Sequence, residues 1–219
     1  MTTTHGIKME DGIMVKTEVV YNNYYRKEIL RHFLKQMYET SDMVVGFDME
    51  WSSVLKNCSD LSSETKVVLL KLCNGVGCVL INLDQQDTNH TSYLNNLLAN
   101  DDIIFAGVHL KERLKQLRKT YGFEIKNAVD LSVMAASVLH QPRFGAYGVR
   151  RLASDLLCQP WKPRPLSITD EKWKLKDCYC RFNKDQIECA TVDAYAAYKI
   201  AKRLLSEEIV PRTFDFISL

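Results

Sequence analysis

The chain has almost no net charge: 29 Lys and Arg stand against 27 Asp and Glu, leaving +2 over 219 residues. That excludes a protein-wide basic field for nucleic acid, though not a local patch. No run approaches the ~20 apolar residues of a membrane span, so no partnership with a membrane is expected. Residues 1–10 lack an apolar core behind a basic start, and no secretory signal is expected there. There is no internal repeat, no low-complexity stretch and no linker that would split the chain. The seven cysteines are odd in number and scattered, mostly within apolar runs. This excludes a simple disulfide framework and fits a reducing compartment, cytoplasm or nucleus. The length suffices for one good core and is short for two domains.

What is present centres on Val44-Val45-Gly46-Phe47-Asp48-Met49-Glu50-Trp51. A short apolar run rich in strand formers reads as a buried strand, and it turns acidic at its end. Residues two apart on a strand share a face, so Asp48 and Glu50 project together. Two carboxylates on a buried face repel and lose hydration unless a cation joins them. A hard divalent ion would suit such oxygens. On this spacing alone, two acidic residues ending a strand in solvent remains open.

Further strands are expected at 67–73, 78–83, 103–108 and 123–129, with another conceivable at 13–20. Gly75 and Gly77 mark a tight turn, so the first three central strands should form an antiparallel meander. The later strands alternate with helices, which implies parallel pairing and right-handed crossovers. Helices are expected at 24–37, 91–99, 110–121, from Asp130 or Ser132 to 139, 149–157 and 184–206. Residues 52–66, polar and Ser-rich, read as a loop, and residues 158–172 as an extended Pro-containing one. Residues 1–12 read as a flexible N-terminus. The tail 209–219 carries Phe214, Phe216 and Ile217, expected to dock on the body or to join a second subunit in a homo-oligomer.

This order, with Asp48-Met49-Glu50-Trp51 on the first central strand, resembles the ribonuclease-D and Werner-type 3′-5′ exonuclease domain of the DnaQ-like, ribonuclease-H-like superfamily. Leu70-Lys71-Leu72-Cys73 resembles its second-strand pattern. Phe105-Ala106-Gly107-Val108 with the following Leu-rich helix, and Asn127-Ala128-Val129-Asp130-Leu131, resemble its second motif region. Gln186 through Asp193-Ala194-Tyr195 resembles its third. The resemblance covers about residues 40–205. It implies an α/β ribonuclease-H-like fold: a five-stranded mixed sheet, its first three strands antiparallel and the others parallel, flanked by helices. Residues 13–208 would form the single exonuclease-like domain.

The implied activity is metal-dependent hydrolysis of 3′-terminal phosphodiesters in single-stranded nucleic acid, RNA somewhat ahead of DNA. Asp48, Glu50 and Asp193 would hold Mg²⁺ or Mn²⁺ in a two-metal site. Trp51 could stack on a terminal base. Lys111 and Arg113, with Lys115, Arg118 and Lys119 on the same helix, could meet the phosphate backbone. Arg150-Arg151 and Lys162-Arg164 are weaker versions of the same signal.

Two positions depart from the pattern. The second-motif aspartate is replaced by Arg113, a cation that cannot lose its proton. The third-motif tyrosine, four residues before its aspartate, is Cys189, and the histidine slot one residue earlier is Glu188. Glu112 or Glu188 could substitute if the site is active. If it is degenerate, the domain would need no metal and would serve as a nucleic-acid-binding or protein-scaffold module. Arg113 would then pair with one of the three carboxylates.

Overall fold

The computed structural model describes residues 2–57, 60–83, 92–168, 173 and 181–206. Seven strands form one sheet: β1 (Thr2–Lys8), β2 (Met14–Val20), β3 (Val44–Asn57), β4 (Asp60–Cys73), β5 (Gly77–Asn82), β6 (Ile104–Gly107) and β7 (Ala128–Asp130), in the order β1-β2-β5-β4-β3-β6-β7. The meander β3-β4-β5 is antiparallel, and β6 and β7 continue beside β3 in parallel, as expected. Beyond β5, β2 pairs in parallel and β1 closes that edge antiparallel to β2.

Among the described residues six α-helices cover the sheet: α1 (Asn23–Thr40), α2 (Ser92–Leu98), α3 (Leu110–Tyr121), α4 (Leu131–Val138), α5 (Val149–Leu156) and α6 (Lys184–Leu205). On β3 the alternation expected of a strand decides what meets what. Val45, Phe47 and Met49 pack with Leu30 and Phe33 of α1, Leu97 of α2 and Leu114 of α3. The other face of the sheet carries Val44, Leu69 and Cys73 against Leu131, Leu152 and the small residues Ala190, Ala194 and Ala197. Among the described residues no helix is long and apolar enough to cross a membrane.

Three expectations are corrected. Residues 1–12 do not fray: Thr2–Lys8 pairs along β2 in full register, from Thr2↔Val20 to Lys8↔Met14. Of β1 only Ile7 is buried, so this edge strand is held by backbone hydrogen bonds and leaves no hydrophobic pattern to read. Residues 52–66 are largely strand, with Ser52 opposite Lys66, Ser53 opposite Thr65 and Leu55 opposite Ser63, a pairing dominated by polar residues. The last strand is three residues, Ala128–Asp130, while Phe123 and Ile125 are buried outside it. The sheet therefore has seven strands where five were expected. The tail 209–219, with Phe214, Phe216 and Ile217 and any role in a homo-oligomer, lies outside the described residues.

At Gly46, where α6 crosses β3, helix and sheet approach closely. A Cβ on Gly46 would lie 2.1 Å from the Ala194 carbonyl oxygen and 2.4 Å from the Tyr198 amide nitrogen. Glycine at this position is what lets α6 lie close enough for Asp193, one residue before Ala194, to reach the acidic end of β3. Replacing Gly46 by Ala is expected to destabilise the protein by at least about 3 kcal/mol, because backbone cannot yield as a side chain can. Gly145→Ala, where a Cβ meets nothing within 4 Å, should be near neutral. Urea unfolding of the two variants provides the comparison.

Candidate active site

Asp48 and Glu50 project from β3 toward α6, where Asp193 faces them. One oxygen from each lies within 4.8 Å of the others. The start of α6 is set by a reciprocal cap: Asn183 Oδ1 accepts from Gln186 N at 2.8 Å and Gln186 Oε1 from Asn183 N at 2.9 Å. With that start fixed, Asp193 falls on the buried side of the helix.

The space between the three carboxylates is filled by Lys71. It stands on β4 directly opposite Asp48, its side chain fully buried. Its Nζ donates to Asp48 Oδ2 at 2.7 Å, Glu50 Oε1 at 2.5 Å and Asp193 Oδ2 at 3.2 Å. The second oxygen of each carboxylate is taken by an arginine. Arg113 Nη1 donates to Asp48 Oδ1. Arg164 Nη2 donates to Glu50 Oε2 at 2.9 Å, and Arg150 Nε to Asp193 Oδ1 at 2.6 Å. All six carboxylate oxygens thus have a cationic donor, and four cations face three anions.

Each arginine is delivered by a different device. Asp130 accepts from Ser132 N and Oγ at the start of α4 and from Leu110 N at the start of α3, at 3.0, 2.6 and 2.8 Å. This clamps the first turn of α3 to β7. His109, just before it, adopts a left-handed conformation (φ 53°) that turns the chain into the helix. Arg113, one turn on, is thereby aimed at Asp48. Arg150, on the first turn of α5, also donates to the carbonyls of Lys162 and Cys189. Arg164 lies between Pro163 and Pro165, whose fixed φ stiffens the strap that carries it.

Burial pushes the Asp48 carboxyl up, but Lys71 and Arg113 outweigh it and hold it below the usual range. Burial pulls the Lys71 ammonium down, and the carboxylates of Asp48, Glu50 and Asp193 reverse this and hold it above its ordinary value. Arg150 and Arg164 likewise end above the ordinary value, their burial outweighed by Asp193 and Glu50 respectively. Burial, then the charge of Asp193, pushes the Cys189 thiol up to about 11, leaving it neutral near pH 7.

A divalent ion in such a site needs several free oxygens. Here each oxygen is engaged, and the ammonium occupies the point where the three carboxylates converge. The residues as arranged do not fit a metal.

The structure therefore brings Asp48, Glu50 and Asp193 together, as expected, and turns Arg113 inward onto Asp48. It does not bring the other candidates. Glu112 is exposed and pairs with Lys115 at 2.9 Å, one helical step away from Arg113's direction. Glu188 is half-buried and lines a cleft of about 440 Å³ with Lys8, Glu10 and Lys162, outside the cluster. Lys111 is exposed on α3. Trp51 packs with the core on the α1–α3 side, the opposite face from Asp48 and Glu50, so it offers no stacking platform there. Lys71 was missed as a site residue, although a lone lysine in the apolar run 67–73 was a visible signal. Arg150 and Arg164 turn to carboxylates rather than outward.

The sheet order and the acidic cluster on its central strand define a ribonuclease-H-like nuclease fold. The model of the 3′-5′ exonuclease family matches residues 21–208, and the chain belongs to that family. No curated protein matches the sequence. Among solved structures, the exonuclease domain of Aedes aegypti Nibbler is similar at TM-score 0.64 and 14% identity, over 91% of this chain and 90% of that one. Trypanosoma brucei RNase D is similar at TM-score 0.67 and 13% identity, over 89% of this chain and 66% of that one, and its complex with RNA U12 at 0.66. Escherichia coli RNase D, an exoribonuclease involved in structured RNA processing, is similar at 0.64 and 16%, over 85% of this chain and 44% of that one.

Removing Lys71 leaves buried carboxylates facing one another with their inner oxygens unpaired. Lys71→Met, close in volume, is expected to cost about 3–5 kcal/mol in urea unfolding, the range for breaking a buried ion cluster. The pH dependence has a definite sign. A carboxyl held low in the folded state contributes stability above its unfolded value of about 4 and loses it as pH falls through the lower folded value. Asp48→Asn should flatten the loss of stability below about pH 4, as read by denaturation midpoints across an acid series.

Proposed function

We propose that this chain is a catalytically silent member of the 3′-5′ exonuclease family that binds single-stranded nucleic acid, RNA ahead of DNA, without cutting it. The single observation that carries this reading is the engagement of all six carboxylate oxygens by Lys71, Arg113, Arg150 and Arg164. An ammonium whose three N–H donors are all in use has no open position at which to bind or ionise a water, which is what a metal supplies in such hydrolysis. Cys189, in the slot of the family's tyrosine, is buried and neutral, and its Sγ accepts from Arg150 Nη2 at 3.2 Å. The choice of RNA draws support from the RNA bound by Trypanosoma brucei RNase D.

Hydrolysis, the activity the family resemblance implies, draws on the persistence of Asp48, Glu50 and Asp193. It requires Lys71 to withdraw from a point where three carboxylates hold it.

In a degradation assay on 3′-labelled single-stranded RNA and DNA, wild type is expected to leave the substrate intact with Mg²⁺ or Mn²⁺ at millimolar levels. Calorimetric titration should show no metal binding. The Lys71→Met/Arg113→Asp double variant opens the centre between Asp48, Glu50 and Asp193 and adds a fourth acidic group beside them, and should bind Mn²⁺, with a rise in melting temperature. Wild-type degradation that needs metal and disappears in Asp48→Ala would overturn the proposal.

A further inference from the structure

Building on the silent reading, the four cations of the cluster divide into two kinds. Lys71 is fully buried and uses its three donors on three carboxylates. The Arg150 side chain is 12% exposed and engages Nε, Nη1 and Nη2 on Asp193, Lys162 and Cys189. The Arg113 and Arg164 side chains are 29% and 35% exposed. Arg113 uses only Nη1, on Asp48 Oδ1 and the Met49 carbonyl, and Arg164 only Nη2, on Glu50 Oε2. Among the described residues nothing accepts from Nε and Nη2 of Arg113, or from Nε and Nη1 of Arg164.

The excess of one cation over the three carboxylates therefore reaches solvent through these two guanidinium groups. They are tied to carboxylates two residues apart on one face of β3, a separation of about 7 Å. The Arg164 guanidinium carbon lies over the Trp173 ring, 5.6 Å from its centroid, a cation–π contact that helps to hold the group in place. Guanidinium forks of this kind match the oxygens of a phosphate.

We infer that the mouth of the former metal site is a phosphate-binding site, in which the free N–H edges of Arg113 and Arg164 hold a phosphate of a nucleic-acid strand directly. Lys71 and Arg150 hold the carboxylates that orient the two arginines and do not touch the ligand. The phosphate is either the terminal monoester of a strand or an internal diester, and both offer the same oxygens.

The test is fluorescence anisotropy with a labelled single-stranded oligonucleotide, once with a 3′-phosphate and once with a 3′-hydroxyl, across a salt series. The proteins are wild type, Arg113→Gln, Arg164→Gln, the double variant, and Lys35→Gln on α1 as a control for general charge. Each single substitution is expected to weaken binding about 5–20-fold, and the double variant to lower the salt slope by about 0.7, the value for one phosphate of a single strand. Lys35→Gln should leave both unchanged. A gain for the 3′-phosphate that is lost in the double variant identifies a terminal monoester, and equal affinity for the two ends an internal diester.

Thermal melts accompany every variant, and Arg113→Lys, which keeps the charge and loses the fork, should recover only part of the affinity if Arg113→Gln misfolds. Unchanged affinity in a folded double variant, an equal loss in Lys35→Gln, or no binding by wild type overturns the inference. The same samples are run on a gel with Mn²⁺. Shortened oligonucleotide there counts against the silent reading, whereas intact oligonucleotide with unchanged affinity in the double variant counts against the phosphate site alone.

Discussion

Three carboxylates cannot share a buried corner of a sheet without a cation among them, and in this protein the cation is covalently part of the chain. Lys71 projects from β4 into the space that Asp48, Glu50 and Asp193 enclose, at 2.5–3.2 Å from one oxygen of each. Mutual repulsion and lost hydration would otherwise push these groups toward protonation or drive α6 away from β3. Because the ammonium is tethered to the neighbouring strand, its presence does not depend on a free concentration, as a bound ion's would. It also carries one charge instead of two and has no coordination position left over.

The arrangement depends on backbone features some distance from the charges. Gly46 lets α6 approach β3, and the cap of Asn183 and Gln186 sets where Asp193 falls along that helix. The antiparallel register places Asp48 opposite Lys71. Asp130 ties the start of α3 to that of α4, which brings Arg113 to the same place from the other side. On this scaffold the three carboxylates meet an ion cluster made of the chain's own lysine and arginines. Membership of the exonuclease family does not by itself fix the chemistry of the site, since fold and site are separable.

Charge balance gives the cluster a direction. The cations with every nitrogen engaged, Lys71 and Arg150, are the most buried of the four, and Arg113 and Arg164 are the most exposed. The outer edge of the cluster presents the partly exposed side chains of Arg113 and Arg164 to solvent, and under the proposed reading such an edge would meet an anion rather than a cation. For a ligand that is itself a polyanion, the metal and the arginines answer the same electrostatic need, and only the metal adds an activated water.

Much of this was decided by the sequence alone. Spacing placed Asp48 and Glu50 on one face of a strand, because the pleat alternates every residue. The Gly75–Gly77 turn required the antiparallel meander, and alternating strands and helices required the parallel pairing of β6 and β7. Arg113 in place of an aspartate was legible as a conflict at the site. What only the tertiary structure decided is the resolution of that conflict. Lys71, Arg150 and Arg164 reach their carboxylates across 23, 43 and 114 residues of chain, and no local pattern encodes partners at such separations. The polar strands β1 and the outer parts of β3 and β4 were hidden for a related reason. They are held by backbone hydrogen bonds to neighbours, and backbone pairing leaves no mark on side-chain periodicity.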